Sequence, residues 1–416
     1  MRIILCRNEK QPGKDDGKGL YMADMSPLKV CGVICEYNPF HKGHAYHLQK
    51  ARELSKAQVM VCVMSGPFTQ RGDAAILSPR LRAEMALNAG ADVVVELPAA
   101  HAIREAEFFA LGGVTILQAL GANYISFGCE NDDLTGLQNA ALLLEKPTEA
   151  FAAVLRSGLQ KGQSHAKAQG SALQDCLDHA QGSIVSAPNN VLAICYLRAM
   201  LRIGSTMTPV PVKRLGDYHD TGWQEGFASA TAVREAMRRG DWHQIEKMIP
   251  EAVLPLLFKA LEDGSVHRPE ALDMLLRDKL RHLEEDALRQ YPNVSEGLEH
   301  RLISLSPMNV SRQSLLAALK TKRYTHARLN RLLTHILLDM TKSRLEACRP
   351  QSFRLLGFCQ GARAYLKSLP KGLLYTKAAR QEKDASFLLD MAAYDVWSLG
   401  AGLPLGEGYR QQVVKI

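Results

Sequence analysis

The sequence predicts an α/β fold: a doubly wound parallel sheet followed by a mainly α-helical C-terminal domain. Three observations predict it. Four apolar runs of strand length lie between residues 30 and 130, and the third carries the unbroken apolar stretch VVV, as strands of a parallel sheet covered on both faces do. Helical stretches separate them, and crossovers of that length imply right-handed βαβ units. Beyond about residue 131 the pattern turns helical, and from about Arg234 onward nearly everything carries a helical period.

Taken in order, KVCGVICEY is the first strand, and GHAYHLQKARELSK follows as a helix with Leu48, Ala51 and Leu54 on one face. AQVMVCVMSG is the second strand, closed by Ser65-Gly66. SPRLRAEMALNAG reads as a helix capped by Ser78, with Pro79 at its first position and Gly90 past its end. ADVVVELP is the third strand, EAEFFALGGVTILQALG a helix and ANYISFGCE the fourth strand. LQNAALLLEKP and EAFAAVLRSGLQKGQSHAKA continue as helices, and APNNVLAICYLRAM is another, capped by its Asn pair. TPVPVKRLGDYHD reads as a last strand and its exit loop. The domain break falls near residue 240.

Composition narrows the class. A chain of 416 residues is long for one core, so two domains are the default. The net charge of +8 is a modest excess, compatible with nucleic acid without requiring it. No run approaches the roughly 18 apolar residues of a membrane span, so no membrane is expected. Residues 1–28 form a polar stretch without the apolar region of a signal peptide. They read as a disordered extension, with Met22 or Met25 as alternative starts. Nine scattered cysteines fit free thiols in a reducing cytoplasm.

The chemistry concentrates in CEYNPFHKGH, where the first strand ends. In an open parallel sheet, ligands bind beyond the carboxyl ends of the strands. A helix beginning near His44 offers unpaired N–H groups and a partial positive charge, which attract phosphate. His41 and His44 can donate to phosphate oxygens as charge develops, and Gly43 lets a nucleotide approach without meeting a Cβ. Zinc held by Cys31, Cys35, His41 and His44 is a poor alternative, because both cysteines lie inside the strand and project into a core. Glu36 reads equally as a general base or a loop cap, and Tyr37 and Phe40 as adenine stackers or core. His47, one turn into the helix, reads as a surface or supporting residue.

His41-Lys42-Gly43-His44 resembles the HxGH signature of nucleotidyltransferases related to class I aminoacyl-tRNA synthetases, which implies a Rossmann-like sheet. FASATAVREAMRRGD is similar to the second signature of that superfamily, with Ser229, Thr231 and Arg234 meeting the triphosphate from the opposite side. Together with VMSGPFTQRGDAA, VVVELP, FGCEN, PNNVLAICYLRA, KRLGDYHD and KRYTHARLNRLLTHILL, these segments resemble the tRNA(Met) cytidine acetate ligase family. The resemblance runs in order from about residue 30 to beyond residue 340. It implies an ATP-dependent ligase that makes acetyl-adenylate from acetate, releases pyrophosphate, and acetylates the wobble cytidine of elongator tRNA(Met). It implies His41 and His44 as catalytic. The implied nucleotide site is Ile34, Cys35, Glu36, Tyr37, Asn38, Pro39, Phe40, His41, Lys42, Gly43, His44, Ala45, Tyr46 and His47, completed by Gly128, Asn189 and Arg214. Asn190 is an equal reading of the Asn pair. ATP, accompanied by magnesium, is the expected cofactor. Lys42 departs from the family, where Asn is usual, and residues 1–28 have no counterpart in its pattern.

Joining acetate to ATP needs positioning and positive charge more than acid–base work, and His41, His44, Lys42, Arg71, Arg214 and Arg234 are suitable types. SGPFTQRG after the second strand is a candidate wall for an acetate pocket. Residues 301–354 hold eleven Lys and Arg against two acidic residues. Such a run is either a solvated helix face or an RNA surface, with Lys322, Arg323, Arg328 and Arg331 set around the rings of Tyr324 and His326. The expected partition is 29–240 catalytic and 241–416 tRNA-binding. Two other readings stay open: a small-molecule nucleotidyltransferase of the same superfamily, and a non-catalytic nucleotide- or RNA-binding protein.

Overall fold

A computed structural model describes residues 28–130, 133–163, 165–177, 188–214, 228–321, 324–378 and 384–416. Residues 1–27 of the expected N-terminal extension, with Lys322 and Arg323, lie outside the described residues.

Strand β1 (Val30–Cys35) leads through a short loop to helix α1 (Lys42–Ser55). Strand β2 (Val59–Ser65), helix α2 (Pro79–Asn88), strand β3 (Val93–Leu97), helix α3 (Ala106–Ala119) and strand β4 (Tyr124–Cys129) follow. Helices Leu134–Glu145, Glu149–Gln160 and His165–Cys176 precede helix α4 (Pro188–Ile203) and strand β5 (Thr208–Lys213). Helix α5 (Ala230–Arg239) opens a helical stretch that includes helix α6 (His326–Leu337). The chain then forms β6 (Phe353–Phe358), β7 (Leu374–Tyr375), helix α7 (Ala385–Gly400) and β8 (Val414–Lys415).

The sheet order is β5-β4-β1-β2-β3-β6-β7, with β8 also on β6. Strands β1 to β5 are parallel, whereas β6 runs antiparallel to β3. The order reverses at β1, which has β2 on one side and β4 on the other, so the switch point lies where β1 ends. Alternate residues along β1 and β2 feed separate cores. Val30, Ile34, Val59, Val61 and Val63 join the core under α3, α4, α6 and α7. Cys31, Val33, Cys35, Met60, Cys62 and Met64 join the core under α1, α2 and α5. Helices on both faces are what a doubly wound sheet requires.

Three local expectations need correcting. Reading the chain as helical from Arg234 onward misses β6, β7 and β8, because FRLLGF carries no turn signal and its partner strand is far away in sequence. The Asn pair does not cap α4 but lies in its first turn, after Pro188. Leu48 and Ala51 of α1 are buried, but Leu54 lies on the solvent side.

Two contacts tie the C-terminal half to the strand ends. Glu96 of β3 and Arg354 of β6, both buried, stand 3.5 Å apart. The turn at 69–73 seats on α6: Thr334 Oγ1 donates to Gly72 O at 2.5 Å, and Asn330 Nδ2 donates to Arg71 O and Asp73 Oδ1 at 2.9 and 2.7 Å. Arg312 Nη2 also reaches Gly72 O, at 3.2 Å. Gly72 takes φ +87, and a Cβ there would lie 2.8 Å from the Arg331 Cα, so only glycine fits.

Candidate nucleotide site

The loop from β1 into α1 is fastened at each step. Glu36 Oε1 accepts from Gln70 N–H at 2.5 Å. Asn38 Oδ1 accepts from Ile76 N–H at 2.9 Å, and Asn38 O accepts from Arg234 Nη1 at 2.7 Å. His41 caps α1 reciprocally with His44. The His41 Nδ1 accepts from Gly43 N–H at 3.1 Å, and the His44 Nδ1 accepts from His41 N–H at 3.3 Å. Since both Nδ1 atoms accept, a neutral ring must carry its proton on Nε2. The cap therefore sets two Nε2–H donors, on rings stacked 3.6 Å apart, at the start of a helix.

The rings are neutral. Burial, with Arg214 and Arg234 nearby, lowers the His41 pKa to about 3. Burial and the other two imidazoles hold His44 well below the usual histidine range. Burial and Arg214 lower His47 to about 4, and its Nε2 hydrogen-bonds Ser126 Oγ of β4 at 3.0 Å. His44 and His47 lie deep in the fold, yet keep part of their surface open. Positive charge is supplied by guanidinium groups, so the histidines act as fixed dipoles rather than cations.

The neighbouring wall is built at the end of β4. Glu130 Oε1 accepts from the Asn189 backbone N–H and from Asn189 Nδ2, at 3.2 and 2.7 Å. Its Oε2 accepts from Asn190 N–H at 3.1 Å. With its amide nitrogen on Glu130, Asn189 must turn Oδ1 outward, where Arg214 Nη1 donates to it at 2.8 Å. Arg214 N–H also donates to Cys129 O, and the side chain runs past Gly128, where a Cβ would stand 3.4 Å from Arg214 Cγ. From the α5 side, Ser229 caps its helix and Arg234 Nη2 donates to Thr231 Oγ1 at 3.0 Å.

A family model described as HIGH nucleotidyl transferase matches residues 28–407. A tRNA(Met) cytidine acetate ligase of Geobacillus sp. (strain WCH70) is 37% identical over 377 residues, covering 86% of this chain and 94% of that protein. The one from Caldicellulosiruptor saccharolyticus is 38% identical over 354 residues, covering 84% of this chain and 86% of that protein. The chain belongs to the tRNA(Met) cytidine acetate ligase family. A crystal structure of Thermotoga maritima TmcAL bound with alpha-thio ATP superimposes with a TM-score of 0.86 at 31% identity, covering 93% of this chain and all of that one.

Within that family fold, the structure brings His41, His44, His47, Gly128, Asn189, Arg214 and Arg234 around the switch point. The other expected residues lie in the cores, in the loop or on the first turns of α1. Ile34, Cys35, Tyr37 and Phe40 are buried in the two cores, and the Tyr37 ring packs edge-on against Phe40. Both rings thus close the core rather than offering a face to adenine. Cys31 lies in the core under α1, where burial raises its thiol to about 11, and Cys35 Sγ points to Val63 O. Glu36 is turned onto Gln70 N–H, and burial raises its pKa. Lys42, Ala45 and Tyr46 are half-buried on the first turns of α1. At Gly43 a Cβ would lie 2.9 Å from the His41 ring, so this glycine makes room for the cap itself. Asn190 is buried, its Oδ1 accepting from Glu130 N–H at 3.0 Å, whereas Asn189 meets Arg214.

The basic segment is also largely consumed. Tyr324 is buried, its hydroxyl donating to Glu296 O at 3.1 Å, with Arg328 5.1 Å from its ring centre. Arg328 donates to Asn293 O and Ser295 Oγ, and buried Arg331 faces Glu105 at 3.8 Å. His326 is exposed. Sequence reasoning missed Glu130 and Ser126. An acidic residue ending a strand gave only a generic signal, because its partners come from a helix some 60 residues later.

Proposed function

We propose that this chain is an ATP-dependent ligase that acetylates the wobble cytidine of elongator tRNA(Met), activating acetate first as acetyl-adenylate. The observation that carries the reading is the capped pair of neutral imidazoles at the switch point, with Arg214 and Arg234 close by. One acetate oxygen attacks the α-phosphorus of ATP, the bond to the β-phosphate oxygen breaks, and pyrophosphate leaves with that electron pair. His41 and His44 donate Nε2–H to oxygens gaining charge, while Lys42, Arg214 and Arg234 hold phosphates. Asn189, rather than Asn190, orients Arg214. Magnesium would arrive on the triphosphate, because the carboxylate oxygens beside the site are engaged, Glu36 by Gln70 N–H and Glu130 by Asn189 and Asn190, which leaves nitrogen donors suited to phosphate. The cytidine N4 then attacks the acetyl carbonyl, AMP leaves, and a proton passes from nitrogen to solvent. The adenylation falls to residues 29–240, whose sheet β6 and β8 extend from the C-terminal part, and the tRNA to the rest of 241–416; a tRNA substrate implies a cytoplasmic enzyme. Among the described residues no helix is long and apolar enough to cross a membrane.

The test is transfer of labelled acetate to elongator tRNA(Met), with and without ATP, for the wild type and His44→Ala. Label that requires ATP and is lost in the variant supports the reading. Unlabelled RNA, with pyrophosphate released to another acceptor, replaces it with a small-molecule nucleotidyltransferase.

A further inference from the structure

Arg82, near the start of α2, is wholly buried. Its guanidinium is met by main-chain carbonyls. Nε donates to Leu77 O at 3.1 Å, and Nη1 to Glu36 O and Ser65 O at 2.5 and 3.1 Å. Nη2 donates to Gly66 O. Glu36 follows the last residue of β1, Ser65 is the last residue of β2, and Gly66 follows it. Apart from Leu77 O, the carbonyls gathered by this one side chain are thus those at the end of β1, where the switch point lies, and at the end of its neighbour β2.

Two physical consequences follow. Carbonyl oxygens at the carboxyl end of a parallel sheet are partial negative charges where an anion must bind; held on a guanidinium, they cannot turn toward it. Burial lowers the Arg82 pKa to about 10, so the group remains a cation at neutral pH. In addition, Glu36 begins the loop that ends at His41. Fixing its carbonyl to Ser65 and Gly66 fixes the start of the segment that aims the imidazoles. Leaving a guanidinium in a core is costly, and a planar fork is required to reach several carbonyls at once.

We propose that Arg82 is a positioning residue for adenylation: through the main chain at Glu36, Ser65 and Gly66, it sets the histidine loop and screens strand-end carbonyls from the α-phosphate. This rests on reading the site as the adenylation site. Because the histidine donors strengthen as charge develops, a displaced loop weakens transition-state contacts more than ATP binding. Displacement of about 1 Å costs on the order of 100-fold.

The experiment is acetate-dependent exchange of labelled pyrophosphate into ATP, with rates referred to folded protein by far-UV circular dichroism and melting temperature. The variants are Arg82→Lys, which keeps the charge without the fork, and Arg82→Met, which keeps the length alone. Arg80→Met, an exposed neighbour on α2, serves as control. The expected result is kcat per folded molecule down roughly 10- to 100-fold in both, with the ATP KM within about threefold and Arg82→Lys the better of the two. Unchanged kcat per folded molecule in both, or failure of both to fold, overturns the proposal by making Arg82 purely structural. Absence of exchange in the wild type overturns the adenylation reading itself, and this inference with it.

Discussion

Replacing Gly72 by alanine tests how the turn at 69–73 is seated on α6. Two costs act at this position. The residue has φ +87, and forcing a side chain into left-handed backbone costs about 1–2 kcal/mol. The new Cβ would also sit 2.8 Å from Arg331 Cα and 2.9 Å from Arg331 N and Asn330 O, all main chain of α6 and unable to rotate aside. Overpacking of that kind adds about 1–3 kcal/mol. Gly121 separates the terms: it has φ +70 and nothing within 4 Å of its ideal Cβ. Gly121→Ala should therefore cost about 1–2 kcal/mol and Gly72→Ala about 2–5 kcal/mol, the excess measuring the seat of the turn on α6. Urea unfolding read by tryptophan fluorescence is suited to this, because buried Trp397 donates its indole N–H to Ala75 O, just past the turn. Equal midpoints for the two alanine variants would refute the close approach of turn and helix.

Protonation gives a second prediction. His41 and His47, near 3 and 4 when folded and 6.5 when unfolded, contribute stability that is complete above pH 6.5 and drains away as pH falls toward 4. Each should cost about 2 kcal/mol at pH 5, seen as a lower urea midpoint, while kcat/KM of the folded enzyme shows no histidine limb near 6.5. Glu36→Gln keeps an oxygen for Gln70 N–H, so pyrophosphate exchange should stay within roughly fivefold of wild type; a loss of about 100-fold or more would make Glu36 a general base. Arg214→Met removes a charged donor oriented by Asn189 and should lower kcat/KM for ATP by roughly 10- to 100-fold, whereas an unchanged value removes Arg214 from the nucleotide site.

The parallel half of the fold was legible because each strand and helix from Val30 to Lys213 carries its signal locally: apolar runs, a Ser78 cap with Pro79, and Gly90 at a helix end. The histidine pair was legible for the same reason, since the cap uses residues within one turn. What escaped depends on distant partners. Phe353–Phe358 is a strand only because β3 offers it an edge. Tyr324 and Arg328 looked available to RNA, because nothing nearby reveals that the segment around Asn293–Glu296 engages them. Glu130 and Arg82 act on neighbours more than ten residues away, so their types alone told little.

The antiparallel strand β6 bears on how the chain leaves the ribosome. The VVVEL edge of β3 is made early, but its partner is synthesised some 250 residues later. At about 5–20 residues per second that interval lasts roughly 10–50 s. An apolar β-prone edge exposed that long invites pairing with another nascent chain, and the one charge in it, Glu96, is the residue type that discourages such association. When β6 arrives, it brings Arg354 to that carboxylate. The same acidic group would then guard the edge during synthesis and be neutralised on closure, tying solubility of the growing chain to completion of the sheet.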